Sequence, residues 1–528
     1  MDRLVDAYDE GIVLVGGLRA LAGEVIHRDF YANYGPGQFY VLAGLFSIFS
    51  PGVLVERGWD IAVRSATTVL CFSIVASLVG RSVGVAAYIG SLVWLARFRF
   101  AGYPVFPALF FSLLSFLPLL PLYNGKFTAP RILASAAAAA TAAFFRYDVG
   151  FGIAAAEWFI ACVFFGSSFE LSRGERWQRV IKFSSYYAIG FGIPILLLIV
   201  AYLLLHAVED LWFDLVRFPI KYYAAMRSLP FPSIRLVRPS LLDVYELSVY
   251  LPGVAWLAAV FWFMFADRSA KHKMTRHELF LSSRACTWVA INLLTFSVVF
   301  FLKGTVRVSP IHMAMAIVTS VVLLAVVWGS KTHESKTVRM AMLALFAIAG
   351  LFTVSSAYEV LLQTRTNLKW FRDDLSRGLH SDYGSCHPPP GLERLACLDF
   401  NHDALDAVRL VQTETTQDDF LFVGTGRHDK LFKNNIAFYF LAKRAPTTKW
   451  YHFDPGLQNS IPIQLQIISE LAIKKPPLIV LDATYDSVVE PNGSAESSHV
   501  ALIDNYIKAR YESLAGFGKI EVLKRVDK

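Results

Sequence analysis

The sequence predicts a mainly α polytopic membrane protein whose C-terminal part folds as a separate extracytoplasmic α/β domain. Three observations carry that reading. Apolar runs near the roughly 20 residues that a span needs recur from position 60 to position 358. Basic residues crowd at alternate junctions between those runs. Beyond position 360 the composition turns to mixed polar sequence of ordinary charge density. Over the whole chain 55% of residues are hydrophobic and 17% charged, with a mean hydropathy of +0.46, against roughly 25% charged in a soluble domain. That balance excludes a single soluble globular domain, a disordered chain and a disulfide-dense scaffold. The net charge of +8 would point a soluble protein toward nucleic acid. Here the loops account for it, and no nucleic-acid partner is expected.

The elements follow in chain order. Residues 1–36 form a polar segment that the charge pattern places outside with no span before it, so either the segment translocates unaided or, the reading favoured here, a further helix is expected upstream of Met1. The run 37–55 is broken by Ser50-Pro51-Gly52 and reads as an interfacial or re-entrant helix. Ten spans are expected at 60–80, 83–97, 104–122, 131–146, 149–168, 184–206, 246–266, 281–302, 310–329 and 339–358. The clusters at Arg81, Lys126–Arg131, Arg173–Lys182, Arg268–Arg276 and Lys331–Arg339 fall at alternate junctions and belong in the cytoplasm by the positive-inside rule. The junctions 98–103, 146–149, 207–245 and 303–309, with the tail from about 360, then face outward. The transmembrane domain is thus 37–358 and the soluble domain 360–528, in a multi-pass protein of the cell (inner or plasma) membrane.

The long outer loop 207–245 carries five basic residues against the trend, mixed with aromatics and prolines. It suits an amphipathic cap that touches lipid headgroups or grips an anionic lipid or saccharide. In the tail, strands are expected at 420–424, 448–453, 478–483 and 519–525. Helices are expected at 434–444, 463–475 and 501–511, an alternation that implies a largely parallel sheet.

The chemistry-bearing residues concentrate outside. Asp9, Glu10, Arg28 and Asp29 lie just before the interfacial helix, where a carboxylate can act as general base on a hydroxyl arriving with a lipid-borne substrate. Equally, Asp9-Glu10 can form a helix N-terminal turn and Asp29 can pair with Arg28; Asp6 is a second candidate base. Arg146 and Asp148 end an alanine-rich helix at the outer face, as phosphate-handling groups or as a snorkelling Arg beside its counter-ion. Lys303, Arg307 and His312 cluster at another outer junction. Fixed cations there would stabilise a phosphate leaving group, although interfacial snorkelling and a hydrogen-bonded histidine also account for them. Gly424-Thr425-Gly426-Arg427 lacks a full dinucleotide fingerprint. The alanine run 134–143 reads as close helix packing, and Asn492-Gly493-Ser494 is a glycosylation sequon that matters only in a host that uses it. Cys71, Cys162 and Cys286 are apolar filler. Cys386 and Cys397 share a polar, Pro-rich stretch and are expected to form a disulfide in an oxidising outer compartment. No Cys/His spacing suggests a metal.

Asp9-Glu10, the stretch GEVIHRDFYANYGPGQFYVLAGLF from Gly23 to Phe46, and Arg64 entering the next helix resemble the first outer loop of the GT-C class of membrane glycosyltransferases. The resemblance is to the superfamily of dolichyl-phosphate-mannose–protein mannosyltransferases and lipid A aminoarabinose transferases, and it extends to the multi-span layout and the outer α/β tail. It implies an inverting transfer of a sugar from a polyprenyl-phosphate carrier to a lipid, glycan or protein acceptor on the outer face. By position Asp9 falls on the catalytic base and Asp29 on a second acidic position of the same loop, so that 1–36 is the catalytic loop. Glu10, Arg28, Arg146, Asp148, Lys303, Arg307 and His312 become candidates for substrate and phosphate binding. A divalent cation is left open, and no nucleotide sugar is expected. The rival readings are a transporter or lipid-carrier flippase, which would place ionisable groups at mid-membrane depth or in pseudo-repeated halves, and a non-catalytic envelope scaffold.

Overall fold

Each apolar run between 60 and 358 lies largely on a helix, because in hydrocarbon a backbone without internal hydrogen bonds is too costly. The computed structural model describes residues 3–168, 171–234, 240–265, 283–330, 336–376, 388–396 and 398–526. The basic cluster 268–276, Lys331, and Cys386 and Cys397 with their expected disulfide lie outside the described residues. In order come α1 (Asp9–Leu21), α2 (Gly37–Phe49), α3 (Val53–Val79), α4 (Arg81–Arg97), α5 (Val105–Phe116) with a 3₁₀ continuation, α6 (Ala129–Phe145), α7 (Tyr147–Gly166) and α8 (Arg173–Leu204). The long loop 207–245 holds α9 (Val208–Trp212), two π-helical turns, α10 (Ala224–Arg227) and α11 (Leu241–Leu247). Then follow α12 (Leu251–Phe265), α13 (Ser283–Gly304), α14 (Ala314–Gly329) and α15 (Lys336–Ser376). Seven of the described helical stretches are long and apolar enough to cross a membrane, while α2, α6 and α14 are apolar but shorter. The molecule is a mainly α, multi-pass membrane protein. Helix α15 runs on past position 360, where the composition changes, to Ser376.

The alanine-rich α6 serves close approach. Ala136, Ala139, Ala140 and Ala143 are buried, and a Cβ at Gly150 of α7 would lie 2.3 Å from the Ala143 nitrogen. In the middle of α7, Glu157 is fully buried, a mid-helix acid that differs from the clustering of charges at the outer ends read from the sequence. It accepts hydrogen bonds from Ser115 (2.7 Å), Ser135 (3.0 Å) and Tyr187 (2.6 Å), so three hydroxyls replace the water it loses.

The tail contains α16 (His402–Glu414), β1 (Phe420–Thr425), α17 (Ala437–Ala442), β2 (Ala445–Pro446), α18 (Ile461–Lys474), β3 (Leu478–Asp482), α19 (Leu502–Arg510), β4 (Tyr511–Phe517) and β5 (Ile520–Arg525). The sheet order is β2-β1-β3-β5-β4. β1 pairs in parallel with β2 and β3, with Leu421 opposite Leu478, whereas β5 runs antiparallel to both β3 and β4. The sheet is therefore mixed rather than largely parallel. Gly518, at φ +57°, supplies the left-handed turn that folds β4 back onto β5. The strand expected at 448–453 is absent as a strand: only Ala445–Pro446 joins the sheet, and Trp450, Tyr451 and Phe453 turn into the core instead.

The N-terminal segment is a tertiary joint rather than a free polar loop. Val5 N–H donates to the Asp399 carbonyl and Asp399 N–H to the Arg3 carbonyl, each at 2.9 Å, which ties the chain start to the tail. Helix α1 buries Ile12, Val13, Leu14 and Val15 between α2 and α17. At the α17 contact the Ala437 N–H donates to the Ala7 carbonyl at 2.9 Å. Gly11 lets the backbones approach, since a Cβ there would sit 2.5 Å from Ala437 N and 2.9 Å from Ile436 Cβ. Gly11→Ala should lower stability by about 1–3 kcal/mol, because the nearest obstructing atom is backbone. Gly44→Ala on α2, with open space around its Cβ, should be neutral or stabilising by about 0.5–1 kcal/mol. Thermal unfolding of the two variants in detergent checks the pair.

Candidate functional site

Helix α1 begins at Asp9, and what precedes it decides where that carboxylate points. Asp6 turns its own carboxylate back to accept from the N–H groups of Tyr8 (2.9 Å) and Asp9 (2.7 Å), satisfying donors that a helix start leaves open. Its other oxygen takes Arg99 Nη1 at 2.7 Å. Burial raises the Asp6 pKa, but Lys433, Arg99 and those two amides outweigh it and hold Asp6 below the ordinary carboxylate range. The Asp9 carboxylate makes no hydrogen bond or ion pair with a described residue. It lines a cavity of about 320 Å³ together with Arg97, Arg99, Tyr103, Tyr245, His312 and Gln363. Burial first, and the neighbouring Asp6 charge second, lift its pKa to about 6, against the pull of Lys433, Arg227 and Arg307. That value suits a base working near neutral pH.

The walls are held from behind. Arg64 of α3 donates to the carbonyls of Leu95 (2.8 Å), Phe98 (2.8 Å) and Arg99 (2.7 Å), which occupies acceptors left open at the end of α4. Asp60 neutralises it at 2.7 Å, and its guanidinium lies 3.7 Å from the centre of the Phe106 ring. The 95–99 turn that presents Arg97 and Arg99 is thereby fixed. Arg97 stacks on Tyr245 at 4.0 Å.

The sequence-predicted residues divide into three groups. Asp9 and His312 line the same cavity. Ser309 Oγ lies 2.7 Å from His312 Nδ1, and the His312 ring meets Tyr103 edge-on. Lys303 reaches to 5.9 Å from the centre of the Tyr103 ring, and its Nζ is buried with no hydrogen-bond partner among the described residues. A second group is outside the cavity lining and already paired, though the charges of Arg146 and Arg307 act on His312. Arg146 grips Asp148 through two bonds, at 3.0 and 2.6 Å. Arg307 grips Glu490 of the tail, with Nη1 to Oε2 at 2.7 Å, and donates to the Arg227 carbonyl at 2.9 Å. The third group stands away from the cavity lining. Glu10 is fully buried against Arg57, with Nε to Oε1 at 2.7 Å. Asp29 pairs with Arg28 at 2.8 Å and caps Val25 N–H at 2.7 Å, and the Arg28 hydrogen bond lowers its pKa. Arg28 also donates to the Leu205 carbonyl at 3.0 Å.

Sequence reasoning did not single out Arg97, Arg99, Tyr103, Arg227, Lys433 or Asp454. A signal existed for the first two, since a pair of arginines at a junction expected to face outward runs against the positive-inside trend. Asp454, 2% exposed, gathers Arg227 Nη2 (3.0 Å), Tyr31 (3.1 Å) and Asn33 Nδ2 (3.4 Å). The Tyr8 hydroxyl shares its one proton between Asp454 (3.1 Å) and the Phe453 carbonyl (2.7 Å). Burial pushes the Asp454 pKa up, but His452 and Arg227 outweigh it and keep the group ionised. Among the described residues no group of three or more His, Cys, Asp or Glu is placed to hold a metal ion.

No family model matches the chain, and no curated protein matches it in sequence. Solved structures do match. ArnT of Cupriavidus metallidurans, in a crystal structure bound to undecaprenyl phosphate, aligns over 100% of this chain and 95% of its own, at 12% identity and a TM-score of 0.52. The Archaeoglobus fulgidus oligosaccharyltransferase aligns over 91% of this chain and 66% of its own, at 10% identity and a TM-score of 0.49. Over its whole length the chain is similar in fold to ArnT.

The raised Asp9 pKa makes a stability prediction. Below about pH 4 the group is protonated in folded and unfolded chains alike and contributes nothing. As pH rises from the ordinary carboxylate range to about 6 the unfolded chain ionises while the folded one does not, so a penalty builds on the folded state and is complete above the folded pKa. Asp9→Asn should therefore melt with the parent near pH 4 and above it at pH 8. A variant melting below the parent at pH 8 contradicts the assignment of a strained carboxylate.

Proposed function

We propose that the protein is an integral membrane glycosyltransferase that takes a sugar from a polyprenyl-phosphate carrier and transfers it, with inversion, to a lipid, glycan or protein acceptor. The observation that carries this reading is Asp9, an unpaired carboxylate with a pKa near 6 facing a cavity walled by cationic and aromatic side chains. The undecaprenyl phosphate bound to the fold neighbour ArnT fits a lipid-linked donor. The acceptor O–H or N–H proton passes to an Asp9 carboxylate oxygen as the acceptor atom attacks the anomeric carbon from the face opposite the phosphate. The bond from that carbon to the phosphate oxygen breaks, and the electron pair leaves on the polyprenyl phosphate. Of the cations nominated for the departing phosphate, Arg307 and Arg146 are already neutralised by Glu490 and Asp148. Lys303, whose ammonium lacks a hydrogen-bond partner among the described residues, is the free one. Arg97 faces the same cavity. Asp6 is less suited as base because its oxygens are occupied by Arg99 and two amides.

The reading places this end of the molecule outside the cell membrane. The junctions at 207–245 and 303–309 meet the tail through Arg227–Asp454 and Arg307–Glu490, and those at 98–103 and 146–149 meet the N-terminal segment through Arg99–Asp6 and Arg146 over the Tyr34 ring, while the basic clusters of the sequence belong to the other junctions. Glu157 is the mid-membrane group a transporter would use, but the three side chains that bond it are hydroxyl donors that hold it in place.

Asp9→Asn keeps size and hydrogen-bonding reach but removes the base, and should cost about 10²–10⁴ in transfer rate from a labelled polyprenyl-phosphate sugar. Binding of the carrier should persist. Lys303→Ala should lower the rate and weaken carrier binding. An Asp9→Asn enzyme that turns over like the parent defeats the mechanism. A parent that transfers nothing but moves labelled lipid between leaflets identifies a flippase.

A further inference from the structure

A second cavity, of about 560 Å³, lies between the tail and the corner that joins α2 to α3. Phe49, Ser50 and Leu54 stand on the corner side, and Arg394, Gln417 and Lys443 on the tail side. It shares no lining residue with the cavity beside Asp9. The backbone around it is held in conformations that side chains rarely adopt. Seven described residues other than glycine have positive φ, and three of them line this cavity: Ser50 (+65°), Ala396 (+51°) and Lys443 (+57°). Lys443 closes α17 in the left-handed conformation common at helix ends. Ser50 and Ala396, at ψ 151° and −132°, fall outside that well, in or near territory normally left to glycine. Strain of this kind clusters at ligand clamps.

The charges on the tail wall do not balance. Lys443 Nζ and Glu393 Oε2 pair at 2.6 Å, and Glu393 Oε1 takes the Gly391 N–H at 2.8 Å. The Lys443 hydrogen bond holds the Glu393 pKa down at about 2. Arg394 makes no ion pair with a described residue. Its Nη1 donates to the Phe440 carbonyl at 2.7 Å, and its guanidinium lies 4.9 Å from the centre of the Phe440 ring. The ring attracts the cation without neutralising it. Burial lowers the Arg394 pKa to about 10, and the Glu393 charge only partly offsets that. The wall is left with one guanidinium in want of an anion, and its forked donors match phosphate. The corner wall sets the kind of molecule that brings it. Val53–Val79 is long and apolar enough to cross a membrane, so the corner stands at the boundary where headgroups lie. Phe49 and Leu54 are exposed there, with Ile48 beside them. An amphiphile meets both demands, its phosphate reaching Arg394 while its chains run over Leu54 and Phe49.

We propose that this cavity binds the phosphate of an anionic membrane lipid, which joins the tail to the α2–α3 corner through Arg394. The site stands apart from the glycosyltransferase reading and is tested without any transfer assay. Phenylglyoxal modifies accessible guanidinium groups, and mass spectrometry maps the adducts in the full-length protein, delipidated in maltoside detergent. Added phosphatidylglycerol should slow modification of Arg394 about tenfold, the lower end of what a charge-assisted hydrogen bond contributes. Arg28, whose side chain is 39% exposed, should react at an unchanged rate. Three outcomes overturn the proposal: no slowing at Arg394, equal slowing at Arg28, or equal slowing by inorganic phosphate at the same concentration. The second would reflect general shielding by headgroups, and the third a phosphate site in which lipid chains play no part. Gln417→Glu places a carboxylate on the cavity wall at an exposed turn and should abolish the protection. If that variant does not fold, Lys443→Gly, which suits the left-handed backbone and frees the Glu393 charge, is read the same way. Protection that persists in a variant melting like the parent overturns the proposal.

Discussion

The buried carboxylate of Asp454 is the constraint on which the rest of the site depends. It belongs to the tail, yet its donors come from two other parts of the chain: Tyr8 and Tyr31 with Asn33 from the N-terminal segment, and Arg227 from the outer loop. A desolvated charge is tolerable only when such partners are all present, and removing one partner of a buried pair typically costs about 3–5 kcal/mol. The N-terminal segment, outer loop and tail are therefore held in one arrangement by a group that none of them satisfies alone. The His27–Asp214 pair, 2.9 Å apart and fully buried, repeats the device between the N-terminal segment and the outer loop.

That locking sets the charge balance around the cavity. Most arginines near it are matched: Arg307 by Glu490, Arg146 by Asp148, Arg227 by Asp454 and Arg99 by Asp6. Matched arginines are rigid walls that do little for an incoming anion. The groups left over among the described residues are the chemically useful ones: the Asp9 carboxylate, the Lys303 ammonium, and Arg97 stacked on Tyr245. Burial makes the uncompensated Asp9 carboxylate and Lys303 ammonium costly, a cost that a bound partner would offset.

Much of this architecture was legible in the sequence, and the part that was not has a physical reason. Hydropathy located the helices of the membrane domain because each must satisfy its backbone within itself. The alternation in the tail located β1, β3 and β5, but β4 was hidden by the charged run that ends α19, and 448–453 looked like a strand because its aromatics serve the core rather than a sheet. Asp9 could be nominated from its local setting. The separation of Asp9 from Glu10 could not, since it depends on Arg57 reaching back to Glu10 from α3. Asp454 stands more than 420 positions from the N-terminal residues that bond it, and nothing in its own neighbourhood marks it. Asp29 and Arg28 sit side by side in the sequence and simply pair with each other.

The central claim is that the cavity beside Asp9 receives the phosphate end of a polyprenyl-phosphate carrier. It is tested most directly by photo-crosslinking with a polyprenyl phosphate analogue bearing a diazirine next to the phosphate, followed by peptide mapping. The account predicts adducts within 97–103 and 303–312 and at Tyr245 or Gln363, competed away by unmodified carrier. Adducts confined to the apolar groove between α7 and α8, around Trp158 and Ala188, would contradict it.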